Sequence, residues 1–273
     1  MTKLISLLPK FIRKSDLVNE VTKAKQVASL IFDNNGSFVF ENNVKSYLIK
    51  GHKINLILEP EVFSPSEHGI QIANYISVNS EDRVLDMGTG TGLLGIIAAK
   101  EGAINVDVSD SSHDAVALAT KNAILNNVFV KGYDGRYFCT PNKTYDYIIA
   151  NLPQEIIPTE YAEQIGELEK TISGGPKGNV HLLKFLEEAH KYMHDKSRAL
   201  IAVYSVSDYL ETLNYMKSLY APKLLDVITS PAKEFVQDNI SYYKPLIERG
   251  EVGLFQKNGV WQSTIFVYEI RKK

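Results

Sequence analysis

Val84-Leu85-Asp86-Met87-Gly88-Thr89-Gly90-Thr91-Gly92 runs from an apolar strand into a glycine-rich turn, and an apolar segment, Leu93 to Lys100, follows directly. Glycine turns sharply and lets a backbone approach a ligand closely, while a helix start offers N–H groups. Outward from this stretch the chain alternates regularly. A strand is expected at Ile104 to Val108, a helix from Asp114 to Leu125, a strand near Val128 to Val130 and another at Tyr145 to Ala150. A helix, Val180 to Met193, and a strand, Ala199 to Tyr204, come next, and Asn258-Gly259 marks a hairpin within Gly253 to Glu269. Short, β-branched apolar strands separated by helices predict an α/β fold: a doubly wound, mostly parallel seven-stranded sheet with a C-terminal antiparallel hairpin.

The residues before this pattern read as a small α+β appendage. Ser15 caps an expected helix through Leu17, Val21, Val27, Leu30 and Ile31. Short strands follow at Phe38-Val39-Phe40, Tyr47-Leu48-Ile49 and Ile54 to Leu58. The expected division is residues 1–58 for the appendage and 59–273 for the main domain.

Charge decides what the glycine turn holds. Gly90-Thr91-Gly92-Leu93-Leu94-Gly95 also satisfies the G-x-G-x-x-G dinucleotide fingerprint. Yet Asp86 ends the strand, and a pyrophosphate beside a carboxylate at a few Å costs on the order of several kcal/mol in low dielectric. A ligand presenting an ammonium group is attracted instead. The NAD-dependent oxidoreductase reading is the weaker one.

The stretch Val84 to Gly92 resembles the first motif of the class I S-adenosylmethionine (SAM)-dependent methyltransferases, which have a Rossmann-like fold. Asp110 ends the second strand, and Asp114-Ala115-Val116 with Lys121-Asn122-Ala123 follow at that family's spacing. The resemblance implies SAM as cofactor, held by Asp86, Gly88, Thr89, Gly90 and Gly92, with Asp110 and Ser111 at the ribose. Asp107 competes with Asp110, which is preferred because ligands of open α/β sheets sit at strand C-terminal ends. Asp134, in Tyr133-Asp134-Gly135, falls where the family puts an acid near the adenine amino group.

Tyr145-Asp146-Tyr147-Ile148-Ile149-Ala150-Asn151-Leu152-Pro153-Gln154 resembles the Asn-Pro-Pro-Tyr segment of the release-factor glutamine methyltransferases and of adenine or guanine N-methyltransferases. Asn151, the Leu152 carbonyl and Pro153 keep that arrangement. Two N–H bonds accepted there aim a delocalised nitrogen lone pair at the methyl group. Leu152 replaces the first proline and Gln154 the aromatic residue. Gln154 suits a polar small molecule, and a Pro-Gln pair is also found in plant methionine S-methyltransferases. Glu59 to Glu67 resembles the entry segment of the glutamine-methylating group, which places Phe63 and Pro65 in the acceptor pocket. Implied substrates are a small metabolite or a protein glutamine, methylated on nitrogen or on a thioether sulfur.

Composition sets the outer limits. Of 273 residues 44% are hydrophobic, enough for a substantial core, and the formal net charge of −2 argues against a dedicated nucleic-acid binder. The single cysteine, Cys139, fits a reducing cytoplasm. No apolar run reaches the roughly 20 residues of a membrane span. Glu187, His190 and His194 have metal-like spacing but read as a solvated helix face, so no metal is expected. His68 beside the pocket segment is a candidate base. Ser230 to Arg249 is either a lid or a packed surface helix. A non-catalytic subunit with the same fold is the alternative to an enzyme.

Overall fold

The computed structural model describes residues 43–141, 144–166 and 169–273. The expected first helix and the strand at Phe38-Val39-Phe40 lie outside the described residues. The chain divides into two compact units between Thr140 and Pro141.

The first unit opens with the antiparallel hairpin β1 (Val44–Ile49) and β2 (His52–Ile57), turned by Lys50 and Gly51, both at positive φ. Helix α1 (Glu67–Ala73) is capped by Ser66, whose hydroxyl accepts the Gly69 N–H. Strands β3 (Arg83–Met87), β4 (Asn105–Asp110) and β5 (Lys131–Asp134) pair in parallel, with Asp86 beside Val108 and Asp110 beside Asp134. Helices α2 (Leu93–Lys100) and α3 (His113–Leu125) make the crossovers. α2 is apolar around nearly its whole girth, so Leu93 to Ala98 are all buried. α3 starts at Ser112, whose side chain accepts the Ala115 N–H.

Strand β5 begins later than Val128-Phe129-Val130 led one to expect. Asn127 takes φ 56°, and the Val128 N–H donates back to the Ala123 carbonyl, so these residues close the helix before the strand begins.

In the second unit β6 (Tyr145–Ala150) and β7 (Met193–Tyr204) are parallel, and β10 (Val260–Lys272) lies antiparallel to β7. β10 also pairs with β8 (Tyr220–Pro231) and, through the Asn258-Gly259 turn, with β9 (Phe255–Lys257). The expected hairpin is therefore present, but β10 is far longer than a hairpin arm. The long strand β8 had no sequence-level expectation. Helices α4 (Thr159–Ile165), α5 (Val180–Ala189) and α6 (Tyr209–Leu219) fill the connections. α5 ends earlier than expected, because β7 already starts at Met193. The stretch from Ser230 to Arg249 contains helices α7 (Glu234–Asp238) and α8 (Ile240–Glu248). Both units are thus α/β with parallel strands, and, apart from the β1–β2 hairpin, the antiparallel strands gather at the C-terminal end. No helix among the described residues is long and apolar enough to cross a membrane.

Candidate active site

The first group of residues sits at the C-terminal ends of β3, β4 and β5, where a parallel sheet leaves its crevice. Asp86 is fully buried beneath the glycine turn. Its Oδ2 accepts the Thr89 hydroxyl at 2.7 Å and the Gly95 N–H at 2.8 Å, so the carboxylate anchors the turn and the first turn of α2. Its Oδ1 has no hydrogen-bond partner. Burial pushes the Asp86 carboxyl up to about 6, against the pull of those two donors. A buried carboxylate oxygen without a donor is a standing cost that an incoming cation relieves.

The turn itself is held from within. The Gly88 and Thr89 N–H groups both donate to the Ser109 carbonyl, Gly90 N–H donates to Asp110 Oδ2 at 3.0 Å, and Gly92 N–H donates to the Thr89 carbonyl. The free N–H groups expected of a glycine turn are, at these four positions, consumed by the protein. A pyrophosphate needs such donors; an ammonium group does not. Asp110 also accepts the Ser112 N–H on Oδ1, which fixes its carboxylate at the end of β4 in a partly exposed position. Asp107 lies buried in the middle of the same strand.

The glycines divide by role. A Cβ on Gly92 would meet Ala119 atoms at 2.9–3.1 Å, so this residue exists to let α3 approach. A Cβ on Gly90 would have one neighbour, the Phe63 carbonyl oxygen at 3.8 Å, so this face of the turn is open. The same distance shows that the Phe63 backbone borders the turn. The Phe63 side chain is exposed and Pro65 half-buried. Ser111 is exposed beyond Asp110. Asp134 is exposed and pairs with His113 Nδ1 at 2.7 Å, which raises the His113 pKa.

An orphaned buried carboxylate oxygen, a partly exposed acid at the end of β4 and an open glycine face together fit an amino acid group and a sugar diol. Asn122, in the Lys121-Asn122-Ala123 segment of α3, has a structural part. Its fully buried amide accepts the Ile57 N–H and donates to the Ile57 and Thr91 carbonyls, tying the β2 edge to the glycine turn.

The second group lies where β6 ends. Asn151 is half-buried, and its Oδ1 accepts the Tyr204 hydroxyl at 2.9 Å. Burial first, and the nearby Glu155 charge second, hold the Tyr204 phenol well above its usual pKa, so it remains a donor. Tyr204 was expected as a strand end and nothing more. Leu152 is buried and Pro153 half-buried.

Gln154 departs from its expected role. It is buried, its Nε2 donates to the Ala202 carbonyl at 2.8 Å, and its Oε1 accepts the Tyr204 N–H at 3.1 Å. Both ends of the amide are spent on the end of β7, which leaves it little to offer a small polar molecule. Gly174 to Gly178 packs against the same segment, and a Cβ on Gly178 would stand 2.8 Å from the Gln154 carbonyl oxygen. His194 pairs with Asp146 at 2.8 Å.

The methyltransferase small domain family model matches residues 53–160. A protein of Methanocaldococcus jannaschii, provisionally named a protein N5-glutamine methyltransferase, is 34% identical over 174 residues, which are 63% of this chain and 87% of that protein. The ribosomal protein L11 methyltransferase of Geobacter sulfurreducens is 32% identical over 126 residues; the match takes in 45% of this chain and 40% of that one. Among solved structures, the 16S rRNA N2 G1207 methyltransferase of T. thermophilus in complex with AdoMet and guanosine is similar in fold. Its TM-score is 0.52 at 15% identity, over 84% of this chain and 50% of that one.

Proposed function

This chain belongs to the methyltransferase small domain family of class I SAM-dependent methyltransferases, and we propose that its methyl acceptor is an amide or amino nitrogen, with protein glutamine ahead of a small metabolite or a thioether sulfur. When bound, SAM supplies an electrophilic methyl group. Asp86 would take its ammonium group, the Gly88 to Gly92 turn its amino acid portion, Asp110 with Ser111 its ribose, and Asp134 its adenine. The Asn151 side-chain oxygen and the Leu152 carbonyl would accept the acceptor's N–H bonds, and Phe63 and Pro65 would line its approach. Nucleic acid is the less favoured acceptor, given the net charge of −2.

The observation that carries the acceptor reading is Asn151 Oδ1 held by the Tyr204 hydroxyl. That donor fixes the amide's rotation and leaves its oxygen a second lone pair, as orienting a delocalised nitrogen requires. Two considerations favour protein glutamine. The M. jannaschii relative is named for that substrate, and the Gln154 amide, which had pointed to a small polar acceptor, is engaged within the fold. Residues 1–58 as an appendage to a 59–273 methyltransferase domain, and a cytoplasmic location, are parts of the same proposal.

The test is Asn151→Ala assayed on a glutamine-containing peptide. SAM binding by calorimetry stays near the wild-type value while turnover falls by about a hundredfold or more. Equal loss of binding and turnover removes Asn151 from the acceptor role.

A further inference from the structure

Glu155, the residue after Gln154, carries a second orphaned oxygen. Its side chain is only 7% exposed. Its backbone is fixed on both sides: the N–H donates to the Ile172 carbonyl and the carbonyl accepts the Gly174 N–H. Oε1 pairs with the Lys233 ammonium, whereas Oε2 has no hydrogen-bond partner.

Tyr204 and Tyr243 both feel the Glu155 charge, which raises their pKa values beyond the effect of burial. Either hydroxyl is the kind of donor Oε2 lacks. Tyr204 donates to Asn151 Oδ1, and Tyr243 donates to the Ile156 carbonyl at 2.6 Å. Around them Ile156, Phe235, Val236 and Tyr243 are packed into one apolar cluster, with Tyr161 stacked on Phe235 at 4.8 Å between ring centroids. A buried carboxylate oxygen in such walls is left unpaired only at a cost, and native proteins rarely leave such an atom without a partner.

We propose that Glu155 is a specificity-determining residue for the methyl acceptor, with Oε2 accepting a hydrogen bond from an uncharged N–H donor on the bound acceptor other than the amide held by Asn151 and Leu152. The inference rests on reading Asn151-Leu152-Pro153 as the acceptor segment. Lys233 selects for an uncharged donor, since the pair is already neutral and an added ammonium group would face the lysine. The chain's own wall, from Ala232 through Val252 and Leu254, then defines what enters beside Asn151.

The single tryptophan, Trp261, packs against the same cluster and is a native reporter. Its fluorescence is titrated in the protein with glutaramide, whose second amide supplies a spare N–H, with the methyl ester of glutaramic acid, which has only the one amide, and with methylammonium. Wild type binds glutaramide about tenfold more tightly than either of the others, the size of a charge-assisted hydrogen bond. Glu155→Gln, which turns a donor or a neutral oxygen toward the ligand, and Glu155→Asp, which withdraws the carboxylate, both abolish that preference. An absent or equal response of wild type overturns the proposal, as does a preference that survives in both variants. Should a variant fail to fold, the wild-type comparison still decides. S-adenosylhomocysteine binding by calorimetry is measured in parallel; its failure strikes the cofactor reading while leaving the fluorescence result to stand or fall alone.

Discussion

At the scale of the residue, Asp86 sets two demands against each other. The folded state holds its proton up to about pH 6, whereas the unfolded chain releases it near 3.8. The folded state therefore binds more protons between these values, and stability falls as pH rises from about 4 to about 6, then levels. A shift of about two pH units corresponds to about 3 kcal/mol. Asp86→Asn keeps an oxygen for Thr89 and Gly95 and removes the charge. Urea denaturation across that window should show the wild type losing stability and the variant flat. SAM affinity should fall in the same variant, because an amide N–H group would face the ligand's ammonium. A variant whose stability profile parallels the wild type would show that Asp86 is not the group titrating.

Among the elements, β2 and α3 are joined by side chains imitating a strand. Asn122 bonds both backbone groups of Ile57, and Asn126 accepts the Asn55 N–H at 2.8 Å and donates to the Asn55 carbonyl at 2.7 Å. Two carboxamides four residues apart on one helix face thus match alternate residues of an extended chain. Asn122→Ala strands buried backbone groups and should cost about 3 kcal/mol in urea denaturation, with further loss of SAM affinity through the freed Thr91 carbonyl. Little of this was legible beforehand. The β3-to-α2 and β4-to-α3 pattern could be read because periodicity and turn chemistry act within a dozen residues. Asn122 looked like one of several polar helix residues, since its partner lies 65 positions away in the chain. Gln154 misled for the same reason, as its partners are about 50 positions distant. β8 was missed because Lys223, Asp226 and the exposed Leu224 and Val227 break the alternation by which a half-buried strand is recognised.

For the molecule as a whole, β8 has a consequence in solution. Among the described residues it pairs along one edge, with β10, over 11 residues, and it exposes Leu224 and Val227. An open edge with apolar side chains is a template for another chain. Sedimentation at rising concentration should show self-association that Val227→Lys suppresses; a wild type that stays at one mass throughout would show that Lys223 and Asp226 already protect this edge.

The two ends of the wall around Glu155 also meet on that sheet. Pro231, where the chain leaves β8, stands directly opposite Gln262, where it has rejoined β10. Everything between departs from and returns to a single rung of that ladder. Such a segment is a cassette: its length and composition can change across evolution, or be exchanged in the laboratory, while the strands beneath keep their register. On the acceptor role proposed for Glu155, such exchange would retune acceptor choice without rebuilding the half of the chain that carries the glycine turn.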